Sequence, residues 1–188
     1  MSSDTDPVLN DLLKKNEKWA TDNKHLFPQD SQSPKVLWIG CVDSRVPESV
    51  VTLSQPGDIL VHRNIANLFQ LNDDSAVSAL HFAVQNLKIT RIVIVGHTDC
   101  GGVHAACRAA HDGTVIQPPC LARWLDPVVQ LAQRTPRNFA RLIEENVREQ
   151  VKNVIKEIKN MSLDMNLEVR GWIYSVEDGN LRVLDGGA

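Results

Sequence analysis

Short apolar runs alternate with longer amphipathic stretches through the first half of the chain. Three of these runs are too short for ordinary helices and predict buried strands at Lys35–Gly40, Asp58–His62 and Arg91–Gly96. Between the second and third runs, Asp73–Leu87 has helical spacing of its apolar residues, with Asp74 or Ser75 near its start. Strand, helix and strand in this order predict an α/β fold with a mainly parallel sheet and crossover helices.

The second half of the chain has longer amphipathic stretches. Helical spacing predicts three more helices, at Gly102–Ala110, Leu121–Gln133 and Arg137–Lys159. Two final strands are expected near Glu168–Ser175 and Leu181–Leu184. The sequence Glu177-Asp178-Gly179-Asn180 between them is typical of a turn, so the chain is expected to finish in an antiparallel hairpin at the edge of the sheet.

The segment Val8–Thr21 precedes the first strand and is predicted to be an amphipathic helix. Its apolar side consists of Leu9, Leu12, Leu13 and Trp19. We expect this side to pack on a partner subunit, with residues 1–33 as a helical dimerisation arm and residues 34–188 as the α/β core. No linker or internal repeat divides the chain, so residues 1–188 are expected to form a single domain.

Composition narrows the function classes. Of the 188 residues, 43% are hydrophobic and 23% charged, which is ordinary for a globular protein. The net charge of -3, without a basic stripe, argues against a nucleic-acid partner. The apolar runs are too short to cross a membrane. The acidic segment Met1–Asp6 resembles neither a secretory nor a transit peptide, so a cytoplasmic location is expected.

In a reducing compartment, four cysteines are more often metal ligands, nucleophiles or buried apolar residues than disulfides. Cys41 and His97 each follow a predicted strand, and the carboxyl ends of parallel strands share one edge of a sheet. Cys100 lies three residues after His97, where both side chains can face a common point. Two thiolates and one imidazole without a fourth ligand are typical of catalytic zinc, which keeps a position for water.

The alternative is that these cysteines are buried apolar residues and that the histidine lies in a loop. The neighbouring residues count against this alternative. Asp43 and Arg45 follow Cys41 at every second position, so in an extended stretch all three side chains share a face. Asp43 can accept a hydrogen bond from a zinc-bound hydroxide, or become a fourth ligand and close the site. Arg45 would hold the carboxylate outward and ionised.

The sequence resembles the beta class of carbonic anhydrases over almost its whole length, from about residue 35 to residue 184. Three motifs carry the resemblance, namely Cys41-Val42-Asp43-Ser44-Arg45-Val46-Pro47-Glu48, His62-Arg63-Asn64-Ile65-Ala66-Asn67 and Gly96-His97-Thr98-Asp99-Cys100-Gly101-Gly102-Val103. The resemblance implies a zinc enzyme that interconverts carbon dioxide and bicarbonate, with one Zn²⁺ per subunit. It also implies a homodimer or a dimer of dimers, held by the N-terminal arm.

The resemblance implies the same roles for the residues already singled out. Cys41, His97 and Cys100 match the zinc ligands, and Asp43 with Arg45 matches an aspartate–arginine dyad. The expected reaction is attack of zinc-bound hydroxide on carbon dioxide in a small apolar pocket. Residues expected to wall this pocket, in part from a partner subunit, are Val46, Ile65, Gly102 and Phe82.

Two features of the resemblance point to different subgroups of the family. In one subgroup a second, non-catalytic bicarbonate pocket favours the closed state, and its residues match Trp38, Arg63 and Tyr174. Gln55 instead matches a glutamine that lines the substrate site of plant-like members, in which a tyrosine stands at the position of Phe82. The chain therefore combines features of both subgroups.

Three other functions compete with this one. A carbonyl sulfide or carbon disulfide hydrolase uses the same zinc constellation, so the motifs leave it open. A non-catalytic zinc-binding interaction module would need a fourth protein ligand. A dithiol redox protein would need a Cys-x-x-Cys pair, and the only such spacing here begins with His97.

Some histidines and cysteines lie outside these motifs. Residues that are proton-relay candidates by type alone are His62, His81, His104 and His111, whereas Cys107 and Cys120 have no assigned role.

Overall fold

The computed structural model describes residues 6–27, 31–163 and 166–184. The chain divides after Gln32 into two compact units. In the first unit, helix α1 spans Pro7–Asp22, as the apolar spacing predicts. The Asp6 carboxylate accepts the N–H groups of Val8 and Leu9, and so caps the start of the helix. Residues 1–5 of the acidic N-terminal segment and residues 185–188 of the predicted core lie outside the described residues.

The second unit is built on one five-stranded sheet of order β2-β1-β3-β4-β5. Its strands are β1 (Val36–Cys41), β2 (Ile59–Asn64), β3 (Arg91–His97), β4 (Glu168–Tyr174) and β5 (Leu181–Val183). Strands β1 to β4 pair in parallel, and β5 pairs antiparallel with β4 at the edge. The predicted α/β class, parallel sheet and terminal edge hairpin are therefore confirmed.

The described residues of this unit form five α-helices. They are α2 (Glu48–Val51), α3 (Asp74–His81), α4 (Gly101–Asp112), α5 (Pro119–Arg134) and α6 (Phe139–Asn160). The four predicted helices are present, and the short α2 was missed. The helix expected at Asp73–Leu87 is regular only to His81 and continues as a π-helical turn at Phe82–Asn86. Asp73 caps its start by accepting the N–H of Ser75.

The two faces of the sheet hold different cores, because successive side chains of a strand point to opposite faces. On β1, Leu37 and Ile39 belong to the large core, whereas Trp38 belongs to a smaller cluster on the other face. The smaller cluster also contains Val46 and Tyr174. The predicted pocket wall Val46 therefore packs with Trp38, away from the face to which Cys41 belongs.

Candidate metal centre

Three donor side chains meet at the carboxyl edge of the sheet. Cys41 is the last residue of β1 and His97 the last residue of β3, so both belong to the strands that were expected to end just before them. Cys100 precedes α4 as its N-cap residue. The ligand atoms of Cys41, His97 and Cys100 all lie within 4.8 Å of one another, and all three residues are buried. Among the described residues, this is the one group of three such side chains placed to hold a metal ion.

The orientation of His97 suits a metal ligand. Its Nδ1 lies 2.8 Å from the carbonyl oxygen of Thr98, so Nδ1–H donates there and the Nε2 lone pair faces the cluster. Nε2 is buried and has no hydrogen-bond partner within the described part of the chain. A buried polar atom without a partner is costly unless something binds it. The donor set of two sulfurs and one imidazole nitrogen fits zinc.

The charges of the cluster also favour a cation. The hydrogen bond from Cys100 lowers the pKa of Cys41 to about 4, against the opposing effect of burial. The same contact, together with burial, raises the pKa of Cys100. Burial opposes protonation of His97, but the Cys41 thiolate, the Thr98 carbonyl and the Asp43 carboxylate together outweigh it and raise the pKa of the imidazole. A site that stabilises one thiolate and draws positive charge onto its histidine is suited to a divalent ion, which would also ionise the second thiol.

Asp43 and Arg45 lie beside this cluster in a turn, which corrects the extended conformation expected for the stretch. The N–H of Val46 donates to the carbonyl of Asp43 at 3.1 Å, and the N–H of Arg45 donates to the Asp43 carboxylate at 2.9 Å. The Arg45 side chain reaches the same carboxylate through Nε at 3.0 Å and Nη2 at 2.8 Å. This bidentate pair lowers the pKa of Asp43 to about 2.

The three residues matched to a second bicarbonate pocket divide between two environments. Trp38 and Tyr174 share the smaller core cluster, and the indole Nε1 of Trp38 is buried without a partner among the described residues. Arg63 donates from Nε to the carbonyl of Cys41 and from Nη2 to the carbonyl of Asp43, each at 2.7 Å. Its Nη1 lies 3.5 Å from Glu48. Arg63 thus links β2 to the backbone at Cys41 and Asp43.

The residues expected to contact substrate are not gathered in one place. Gln55 is exposed, and Phe82 is 45% exposed. Gly102 lies in the first turn of α4, two residues after Cys100, and a Cβ there would stand 2.8 Å from Cγ2 of Ile65. An open apolar cleft of about 630 Å³ adjoins Ile65, and its lining is Val42, Asn64, Ile65, Pro118, Cys120, Leu121 and Trp124.

The remaining histidines and cysteines lie outside the cluster. His81 lies 2.8 Å from Glu157, and His104 lies 3.1 Å from Asp99. Cys107 is half-buried and Cys120 is exposed. Of these residues, His104 alone is joined to the dyad, through the Asp99 carboxylate that also accepts from Arg45.

Sequence reasoning missed the turn that supports Cys41. Ala66 and Asn67 adopt positive φ angles of 64° and 49°, and the backbone of Ala66 helps to lower the pKa of Cys41. Two buried amides of α6 hold this turn: Asn146 donates to the carbonyl of Ala66, and Gln150 accepts from Phe69, each at 2.9 Å. The signal available in the sequence was a pair of amides one helical turn apart on the apolar face of a helix.

Comparisons with known proteins agree with this geometry. A family model described as carbonic anhydrase matches residues 36–181. A carbonic anhydrase of Emericella nidulans is 35% identical over 190 residues, covering 93% of this chain and 82% of the relative. The solved b-carbonic anhydrase CafA of Aspergillus fumigatus has 36% identity and a TM-score of 0.82, covering 94% of this chain and 90% of that one.

A second solved relative is one of two tetrameric beta-carbonic anhydrases of Sordaria macrospora. It has 31% identity and a TM-score of 0.86, covering 97% of this chain and 100% of the relative. Separately, none of the helices in the described residues is long and apolar enough to span a bilayer.

Proposed function

This chain belongs to the beta class of carbonic anhydrases, and we propose that it hydrates carbon dioxide reversibly at a zinc ion held by Cys41, His97 and Cys100. The observation that carries the proposal is the convergence of these three buried donors within 4.8 Å, with Nε2 of His97 left for a ligand. A set of three protein ligands leaves a coordination position for water, as catalytic zinc requires. The same count argues against a non-catalytic module with a closed site.

Zinc bound by these residues would lower the pKa of a coordinated water and supply a hydroxide nucleophile near neutral pH. Asp43 acts beside it as a hydrogen-bond acceptor. Its carboxylate stays ionised because Arg45 donates to both of its oxygens. An ionised carboxylate would accept a hydrogen bond from such a nucleophile and so orient it toward the carbon of carbon dioxide.

The apolar cleft beside Ile65 is the proposed approach for carbon dioxide. Its walls are almost wholly apolar, which suits a small uncharged substrate, and Val42 joins it to Cys41 along the chain. Gln55 and Phe82 are exposed in the single chain. We therefore propose that they contribute to the site of a neighbouring subunit.

Association through α1 would supply that neighbour. Four large apolar side chains of this helix, Val8, Leu9, Leu12 and Leu13, are each more than half exposed. Such a run of exposed apolar side chains on one helix is typical of an interface. A homodimer or a dimer of dimers is the assembly we propose, and the Sordaria macrospora relative is tetrameric. The cytoplasmic location stays a prediction.

A second bicarbonate pocket at Trp38, Arg63 and Tyr174 also remains a proposal. The indole N–H of Trp38, which has no partner in the described part of the chain, supports it, because an anion would accept that hydrogen bond. Arg63 already donates to two carbonyl oxygens, so an anion there would compete mainly for Nη1, which lies 3.5 Å from Glu48.

The proposal is tested by metal analysis combined with substrate assays. The purified chain is expected to carry about one zinc per subunit and to hydrate carbon dioxide, whereas Cys100→Ser loses both. Cys107→Ser is the matched control, because it removes a half-buried thiol of the same helix outside the cluster. Carbonyl sulfide and carbon disulfide are offered separately, and turnover of either without hydration of carbon dioxide would reassign the substrate. Cys100→Ser with unchanged zinc content and activity would refute the proposed centre.

A further inference from the structure

Arg45 is held by two acidic residues. Its Nη1 donates to the Asp99 carboxylate at 3.0 Å, and its Nη2 donates to the Asp99 carbonyl at 3.1 Å. These bonds are additional to the bidentate pair with Asp43. The guanidinium is thus fixed between the turn after β1 and the segment that joins His97 to Cys100.

Asp99 is itself fixed in place. Its second carboxylate oxygen lies 3.1 Å from Nε2 of His104 on α4. The His104 ring stacks on Phe139 at the start of α6, with ring centroids 3.4 Å apart and an interplanar angle of 12°. The backbone of Asp99 has a φ of 53°, a left-handed conformation that Asp adopts more readily than most residues. Asp99 therefore connects Arg45 to two helices.

The position of Arg45 matters because of where Asp43 lies. One oxygen of the Asp43 carboxylate is 3.9 Å from Nε2 of His97, close enough for a small movement to bring it to an ion that His97 holds. The ion pair of Asp43 with Arg45 does not by itself oppose this movement, because the half-exposed Arg45 side chain is flexible and can move together with Asp43. Pairing with an arginine that is tied to Asp99 does oppose it.

We propose that Asp99 is a positioning residue that anchors Arg45 and thereby keeps Asp43 from occupying the open coordination position of the metal. The inference rests on the proposed function, because it needs an ion at Cys41, His97 and Cys100. In this role Asp99 shifts the equilibrium toward the state in which the metal ion is open to external ligands. His104, stacked on Phe139, contacts the Asp99 carboxylate and helps to hold it in place.

The test uses Asp99→Asn in the full-length chain loaded with Co²⁺, whose visible absorption reports anion binding. Asn tolerates the left-handed backbone of position 99 but removes the charge that holds Arg45. If the fraction of molecules with an accessible ion falls to about one fifth, the apparent Kd for azide rises about fivefold. The matched control is Asp112→Asn, which breaks an exposed aspartate–arginine pair with Arg137 and should leave the Kd unchanged.

The direction of the change separates anchoring from simple charge. Removing a negative charge near the site would by itself strengthen azide binding, so a weaker affinity requires competition from Asp43. In the double variant Asp43→Ala with Asp99→Asn, the competitor is gone, and azide should bind as tightly as in Asp43→Ala alone or more tightly.

Two results would overturn the inference while leaving the proposed function intact. One is a metal-loaded Asp99→Asn chain that binds azide as tightly as the parent or more tightly. The other is a loss of affinity that persists when Asp43 is absent. A chain that binds no stoichiometric metal would overturn the proposed function together with this inference.

Discussion

The carboxylate of Asp43 approaches the imidazole of His97 to 3.9 Å, measured from Oδ2 to Nε2. The acceptor proposed to orient the nucleophile thus lies next to a proposed metal ligand without being one of the three converging donors. Metal binding and orientation of the nucleophile can therefore be separated by mutation.

Asp43→Asn should retain zinc but lose most of its carbon dioxide hydration. The amide keeps the shape of the side chain, but without the negative charge it is a weaker hydrogen-bond acceptor for the O–H of the nucleophile. Loss of such a catalytic group costs about 100-fold or more in rate. Stopped-flow hydration assays on samples of matched zinc content measure the effect. Asp126→Asn, an exposed change on α5, serves as the control. Hydration at the parental rate by Asp43→Asn would remove Asp43 from the mechanism.

Gly102→Ala should disturb the site, whereas Gly101→Ala should not. A Cβ at Gly102 would stand 2.8 Å from Cγ2 of Ile65 and 3.2 Å from Cβ of Ala66, but a Cβ at Gly101 meets nothing within 4 Å. Overpacking of this kind costs about 1–3 kcal/mol. Urea unfolding and hydration assays should show a less stable and less active Gly102→Ala. If the two variants were equally stable and active, the Ile65 side chain would be able to move away from the added methyl group at no cost, and the prediction would be wrong.

The sequence predicted the positions of Cys41 and His97 because parallel strands bring their carboxyl ends to one edge, whatever the separation along the chain. It did not predict the conformation of the segment after Cys41. Asp43 was expected in an extended stretch, but its carboxylate accepts the N–H of Arg45 and makes a turn. Such a choice depends on competition between local hydrogen bonds, which residue periodicity does not report.

Long-range polar contacts were also beyond the sequence. Asp99 bonds to Arg45, a residue 54 positions away. Ala66 takes a left-handed conformation that non-glycine residues adopt uncommonly, so no pattern of residue types indicated it. Helix α1 was predictable from spacing alone, because apolar positions on an amphipathic helix recur with its period.

Replacing Leu12 and Leu13 by Glu should dissociate the proposed oligomer. Both side chains are exposed in the single chain, at 57% and 61%, and burying their apolar surface against a second copy would stabilise association. Sedimentation or light scattering should report a smaller particle. Lys14→Gln with Lys18→Gln, on the same helix, changes the net charge by the same two units and so controls for the effect of charge. An unchanged mass in the leucine variant would place the interface elsewhere.

Tyr174→Phe should weaken inhibition by bicarbonate if the second pocket operates. The ring would keep its place in the cluster with Trp38, and only the hydroxyl would be lost. One hydrogen bond corresponds to about a threefold to tenfold change in the bicarbonate concentration for half-inhibition. Trp172→Phe, next to Trp38 but outside the matched set, is the comparison. The pocket proposal fails if both variants respond to bicarbonate as the parent does.

Asn146→Leu should weaken both the fold and the retention of zinc. Asn146 is 1% exposed, donates to the carbonyl of Ala66 at 2.9 Å and accepts from Gln150 at 2.9 Å. Leucine of similar size would leave both partners buried without a hydrogen bond, at a cost of about 1–3 kcal/mol each. Asn160→Leu makes the same replacement at an exposed position of α6 and should leave the free energy of unfolding nearly unchanged.

Zinc retention distinguishes a supporting role at the metal centre from a purely structural one. The Ala66 backbone that Asn146 holds also helps to lower the pKa of Cys41. Loss of such a supporting contact weakens metal affinity about 10- to 100-fold in comparable sites. Competition with a coloured chelator under native conditions should therefore extract zinc from Asn146→Leu much more readily than from Asn160→Leu. If unfolding becomes easier while zinc affinity stays the same, the amides stabilise the fold without supporting the ligand.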